Sequence, residues 1–185
     1  RIRKTYSELR RSPTIGNAEL AKIISQWERR IKISVDTSNI KAILQRARYL
    51  RRHGKLDFLM VDHIGLVSAD GKNPNERISN ITGPLKQFAL TSNIPVIAFS
   101  QMNREIEKRG GLPSLSDLRD SGSIEQDSNK IIFLHKDVNQ YRSFVVAKNT
   151  FGACDQIPYW MEGEYYTIAT ERPYKPPREI VVDDI

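Results

Sequence analysis

Residues 58–67 read FLMVDHIGLV: Phe58, Leu59, Met60 and Val61 run into Asp62, and Ile64, Leu66 and Val67 resume the apolar character. A run this apolar is a strand without a wet face, and such strands belong to parallel sheets covered by helices on both sides. The aspartate at its end is the puzzle. Burying a carboxylate beside a core strand costs several kcal/mol unless it is paired or hydrogen-bonded. Asp62 therefore either caps the following turn or stands at a strand end because a ligand needs it there.

Upstream of this strand, DTSNIKAILQRARYLRRHGK (36–55) is the clearest helix. Ile40, Ile43, Leu44, Ala47 and Leu50 make one apolar face, Ser38 or Asn39 can cap its start, and Gly54 follows its end. Its other face carries Lys41, Arg46, Arg48, Arg51 and Arg52, readable as a solvated charged face or as a contact to nucleic acid. Residues 17–30 (NAELAKIISQWERR) read as an earlier helix through Leu20, Ile23, Ile24 and Trp27, and IKISV (31–35) as a short strand. Downstream, residues 75–93 are helical, with Ile78, Ile81, Leu85 and Phe88 in register. Pro84 cannot donate to the Asn80 carbonyl, so a kink or a break is expected there. IPVIAFS (94–100) is a second fully apolar strand. A long polar, Gly-rich loop follows, of the kind that is usually functional. KIIFLHK (130–136), SFVVAKN (143–149) and EYYTIAT (164–170) complete the predicted strands. Strand–helix–strand alternation with apolar strands means an α/β fold: an open, mostly parallel sheet flanked by helices. Ligands of such sheets bind at the carboxyl ends of strands. Asp62 and the pair Ser100-Gln101 occupy two such ends.

The chain has 185 residues, enough for one domain with a real core. With 39% hydrophobic and 28% charged residues it has an ordinary globular composition. No apolar run approaches the roughly 20 residues that span a bilayer, so no membrane partner is expected. The basic N-terminus, RIRKTYSELRR, lacks the apolar core of a signal peptide. The single cysteine, Cys154, allows neither an internal disulfide nor a cysteine-based zinc site, which fits a reducing, cytoplasmic compartment. The formal charge of +7 favours phosphate-rich partners.

Four apolar residues followed by Asp62 at a strand end have the form of a Walker B site, in which the carboxylate holds a Mg²⁺-bound water beside nucleotide phosphates. In IAFSQMNR (97–104), Gln101 follows a second apolar strand and would lie beside Asp62 if the two strands are neighbours. Its neutral amide can touch a γ-phosphate, or it can bond loop backbone. The third piece is SDLRDSGSIEQDSNKIIFLHKD (116–137), and here the pattern stops being generic.

In the order and spacing of these three pieces, residues 56–137 resemble the C-terminal ATPase domain of the DnaB family of replicative DNA helicases. The resemblance extends more weakly upstream to about residue 20 and downstream to about residue 170. SGSIEQD is its most specific element. It implies a RecA-like fold over residues 1–172, incomplete at its N-terminal side, followed by a Pro-rich, acidic tail at 173–185. It implies ATP and Mg²⁺ as cofactors, single-stranded DNA and a hexameric homo-oligomer as partners, and a primase or helicase loader bound through other regions. Residue by residue, Asp62 would hold Mg²⁺ through water and Gln101 would sense the γ-phosphate. Arg119, Asp120 and Gly122 fall in the central-channel loop that grips the DNA backbone. Lys148, in AKNTFG, matches a lysine that reaches the neighbouring subunit's nucleotide.

Thr150 stands where the family has an arginine finger and cannot supply its charge; Arg142 is the nearby arginine in sequence. His63 stands where the family often has an aromatic residue, and a structural role is expected for it. No G-x-x-x-x-G-K-[ST] occurs in the chain, so it reads as the latter part of the ATPase domain. The function expected is that of part of an ATP-dependent replicative helicase. The alternative is a non-catalytic DNA-binding or ring-assembly piece of the same ancestry. A recombinase-type RecA-like ATPase shares the fold but not SGSIEQD. The 185-residue chain on its own is expected not to turn over ATP, because it carries no P-loop amides and lysine to hold the β- and γ-phosphates. Steady-state hydrolysis with and without single-stranded DNA checks this; turnover of about 1 s⁻¹ or more, abolished by Asp62→Ala, would overturn it.

Overall fold

The computed structural model describes residues 22, 25–26, 30–103, 106, 110–118, 121–162 and 167–171. The predicted helix at 17–30 lies largely outside the described residues, and the tail at 173–185 wholly so. Among the described residues no helix is long and apolar enough to cross a membrane.

Helix α1 spans Ile40–Arg52. Asn39 caps it, its side chain accepting hydrogen bonds from the backbone N–H groups of Lys41 and Ala42. Gly54 ends it with a φ of 64°, a left-handed turn that glycine adopts without steric cost. Ile40, Leu44 and Ala47 form its buried stripe. The chain then enters strand β1, Leu59–Val61, and a 3₁₀ turn, Ile64–Leu66. Helix α2, Pro74–Ser92, returns across the sheet to strand β2, Val96–Ala98. The helical crossover makes β1 and β2 parallel, with Val61 beside Ala98.

After β2 the expected long loop is partly folded. It contains a 3₁₀ turn, Leu115–Asp117, and helix α3, Ser121–Asp127. Four strands follow: β3 (Lys130–Lys136), β4 (Arg142–Asn149), β5 (Gln156–Glu162) and β6 (Thr167–Ala169). They form one antiparallel sheet in sequence order. Among the described strands, parallel pairing is thus confined to β1 and β2, with one isolated parallel bridge between Asn39 and Ser68. Short turns join β3 to β4 and β4 to β5, and a short turn can only join antiparallel neighbours. Strand β5 escapes the sequence reading because Pro158 lies inside it. Among the described residues β6 pairs only with Trp160–Glu162, which leaves the edge of β5 at Pro158 without a partner strand, a place where proline is tolerated.

One apolar cluster joins the two sheets: Val61 of β1, Ile131 and Phe133 of β3 and Val145 of β4 pack with Leu44 of α1, Ile78, Ile81, Leu85 and Phe88 of α2 and Ile124 of α3. The described helices thus lie on one side. The other side is not covered by them: Met60, Ile97, Phe99, Ile132 and Leu134 are all exposed, Leu134 by 57%. IKISV is not a strand. Ile33 and Val35 are 83% and 94% exposed, and a β-strand needs a neighbour to complete its hydrogen bonds.

Of the kink or break expected at Pro84, the break does not occur, since α2 runs through it. An interior proline costs about 3 kcal/mol. Ile81 and Phe88, on either side of it, are both fully buried, and each such burial stabilises by about 1.5–3 kcal/mol. Packing therefore wins over the lost bond. Pro84→Ala restores the N–H to a helix whose path is already set, and it should stabilise the chain by about 1–3 kcal/mol. Urea or thermal unfolding of the two proteins measures it; an unchanged or lowered midpoint would show that the proline ring itself is a needed packing element.

Candidate functional site

Asp62 follows Val61 directly, and the Phe99 N–H donates to the Val61 carbonyl at 3.0 Å. The Ile64 N–H in turn donates to the Phe99 carbonyl at 2.9 Å. These bonds hold the carboxyl ends of β1 and β2 side by side, so Asp62 and Gln101 leave the same edge of the parallel pair. Both residues are exposed, and neither side chain has a hydrogen-bond or ion-pair partner among the described residues. The buried-carboxylate penalty therefore does not arise. Asp62 does not cap the next turn either: His63 holds the cap position of the 3₁₀ turn, with no side-chain bond. His63 is half-buried with its ring against Gly65, where a Cβ would come within 3.0 Å of it. Its Nδ1 is buried without a partner among the described residues.

One exposed carboxylate with free oxygens suits Mg²⁺ held mainly by phosphate and water, since Mg²⁺ is commonly bound through one or two carboxylates plus substrate phosphates. Among the described residues no cluster of three or more His, Cys, Asp or Glu forms a closed protein cage. The donor set therefore fits a nucleotide-bound metal and does not fit a resident one.

The second part of the site is α3. Arg119 and Asp120 lie outside the described residues. Gly122 is exposed in the first turn of α3, and no atom lies within 4 Å of where its Cβ would be. Its lack of a side chain is not a packing requirement; it leaves the backbone N–H open to approach. The other end of α3 is tied down from two directions. From α2, the Thr82 hydroxyl donates to the Asp127 carboxylate at 2.5 Å and the Lys86 ammonium to the Asn129 side-chain oxygen. From β4, the Lys148 ammonium donates to the Glu125 carbonyl. The Thr150 hydroxyl and N–H both donate to the Asn129 carbonyl at 2.9 Å.

A β-bulge aims Lys148 this way. Val146 pairs with Ile132 and Lys148 with Ile131, so Ala147 is the extra residue. Strict alternation would put Lys148 on the open face with Val146. The bulge instead turns it to the helix side, with buried Ile131. Arg142 begins β4 and Thr150 follows its end, roughly 25 Å apart at about 3.3 Å per residue. The two residues therefore stand at opposite ends of β4. The latch residues Thr82, Lys86 and Asn129 were not singled out from the sequence, because Thr82 and Asp127 are 45 residues apart and no local pattern pairs them.

Residues 4–170 match the family described as the DnaB-like helicase C terminal domain. A replicative DNA helicase DnaB of Rickettsia bellii is 45% identical over 101 residues, which is 53% of this chain and 20% of that protein. A probable plasmid replicative DNA helicase of Chlamydia psittaci is 39% identical over 103 residues, 54% of this chain and 22% of that protein. The chain thus spans about a fifth of the length of these relatives. Among solved structures, an ATPase domain superposes with a TM-score of 0.67 at 29% identity, over 73% of this chain and 52% of its own. A DnaB-like replicative helicase, described together with its interactions with primase, superposes with a TM-score of 0.65 at 30% identity, over 72% of this chain and 36% of its own. Both are RecA-like folds, and this chain shares that fold.

The two ends of α3 should respond differently to mutation. Lys148→Met leaves the Glu125 carbonyl without its charged donor and should cost about 1.5–3 kcal/mol in urea unfolding. Gly122→Ala meets nothing and should leave stability unchanged or raise it by up to about 1 kcal/mol. Equal losses for the two variants would contradict the described packing of α3.

Proposed function

The chain belongs to the family of DnaB-like helicase C-terminal domains, and from that premise we propose that it is part of an ATP-dependent replicative DNA helicase. In this reading the assembled protein unwinds duplex DNA by translocating along single-stranded DNA as a hexameric ring. The observation that carries it is the pairing of β1 with β2, which brings Asp62 and Gln101 to one strand edge with their side chains unengaged. Asp62 would hold the Mg²⁺ of Mg-ATP through water, and the metal's chemistry when bound is to neutralise charge developing on the phosphates. Gln101, on the adjacent strand end, would contact a γ-phosphate by its amide. It begins the segment that leads, through the Met102–Leu118 bridge, towards residues 119–122.

Arg119, Asp120 and Gly122 form the DNA-gripping loop in this reading. Arg119 supplies charge and Gly122 an unobstructed N–H to phosphate. Lys148 is assigned to a neighbouring subunit's nucleotide, a role it takes only by leaving the Glu125 carbonyl. Its position makes α3 a short link between that contact and the DNA loop. Thr150 leaves this contact without a guanidinium. A primase or a helicase loader is proposed as a further partner and the cytoplasm as the compartment. A second reading of the same ancestry is a non-catalytic DNA-binding or ring-assembly role.

The helicase reading requires the channel loop to bind DNA backbone, whereas a pure ring-assembly role does not. Fluorescence anisotropy with a mixed-sequence single strand at two salt concentrations should show weak, nearly sequence-blind binding that falls steeply with salt. Arg119→Ala should lower both the affinity and the salt slope, the latter by about 0.7 per lost contact. Affinity unchanged by salt and by Arg119→Ala would reject the channel-loop assignment.

A further inference from the structure

Helix α1 has a solvent face that the helicase reading does not use. Residues 40–55 contain six Lys and Arg and no Asp or Glu. Three of the six are engaged. Lys41 pairs with Asp70 at 3.2 Å and Arg46 with Asp36 at 2.9 Å. The Arg51 Nε donates to the Ser92 carbonyl at 3.0 Å. Arg48, Arg52 and Lys55 are exposed and have no partner among the described residues.

Arg48 and Arg52 are one turn apart on the helix, where like charges repel by a few tenths of a kcal/mol. The helix dipole accounts for Arg51 and Arg52 in the last turn. It does not account for Arg48, and a merely solvated face would ordinarily mix signs to relieve the repulsion. An aromatic ring stands beside these cations. Tyr49 is 61% exposed, and its ring lies 4.3 Å from that of His53, centroid to centroid. The His53 Nδ1 is 2.7 Å from the Tyr49 carbonyl, a bond that fixes the imidazole against the tyrosine. At 100° per residue, Arg48, Arg52, Gln45 and Tyr49 fall within one 100° sector of α1 that runs from the flank of the buried stripe of Ile40, Leu44 and Ala47, at Arg48, to the side opposite it, at Tyr49.

We infer that this face of α1 is a second binding surface for single-stranded nucleic acid, with phosphates on Arg48 and Arg52 and a base stacked on Tyr49. Cations and the Gln45 amide are suited to phosphate and sugar oxygens. An exposed ring among them is what a base uses, since every base has a π-face. An acidic protein segment would use the cations and leave the ring idle. The surface lies on the helix that precedes β1 and shares no residue with the loop at 119–122, so it does not rest on that assignment.

The test uses the whole 185-residue chain and a fluorescein-labelled oligothymidylate of about twenty nucleotides, read by anisotropy at low and moderate salt. The exposed sites permit Arg48→Gln/Arg52→Gln, Tyr49→Ala and Tyr49→Phe without loss of fold, checked by unchanged thermal unfolding. The double variant should weaken binding about tenfold and lower the salt slope by about 1.4, at about 0.7 per contact. Tyr49→Ala should weaken it about fivefold or more, and Tyr49→Phe should retain it. Binding by the double variant and Tyr49→Ala equal to that of the parent chain overturns the inference. If Arg119→Ala alone abolishes binding, the channel loop survives and this surface does not; the reverse pattern supports this surface and rejects the channel loop. Displacement of the oligonucleotide by polyglutamate at similar concentration, with Tyr49→Ala silent, assigns the face to an acidic protein and also overturns the inference.

Discussion

The structure depends on the burial of one face of α2. Ile81 and Phe88 are fully enclosed there, and Ile78, Thr82 and Leu85 complete the stripe. This helix touches α1, β2, the 3₁₀ turn after Asp62 and α3. It forces the parallel pairing of β1 with β2, because it is the crossover between them. That pairing sets Asp62 and Gln101 at a common edge. The same burial carries the chain through Pro84 without a break.

The second constraint is the fastening of α3. A seven-residue helix is too short to be stable by itself, since isolated helices below about 12 residues are marginal in water. Here it is held at its C-terminal end by Thr82 and Lys86 from one side and by Lys148 and Thr150 from the other. Its N-terminal end adjoins the segment assigned to DNA. The bulge at Ala147 is what makes Lys148 available to the clamp.

The open side of the sheets follows from the same arrangement. All described helices pack on one face, and β2 and β3 each have a single strand partner. The edges and the apolar residues Met60, Ile97, Phe99, Ile132 and Leu134 are therefore available for association. In the proposed ring, this is surface that further protein is suited to cover.

Local chemistry in the sequence was enough for several features. The Asn39 cap and Gly54 stop bound α1, because capping acts within four residues. The apolar runs ending at Asp62 and Gln101 mark β1 and β2, and their separation by a helix implies parallel pairing. SDLRDSGSIEQD identified the family. The tertiary structure alone decided the rest, and in each case the reason is a contact distant in sequence. Core packing overrode the proline signal at Pro84. An edge without a described partner strand allowed Pro158 inside β5, which the sequence reading missed. The absence of a described neighbour left IKISV without strand pairing, although its composition favours a strand. A one-residue bulge turned Lys148 to the opposite face, which periodicity cannot foresee. The length of β4 separated Arg142 from Thr150, which only looked close because they are eight residues apart in a linear text.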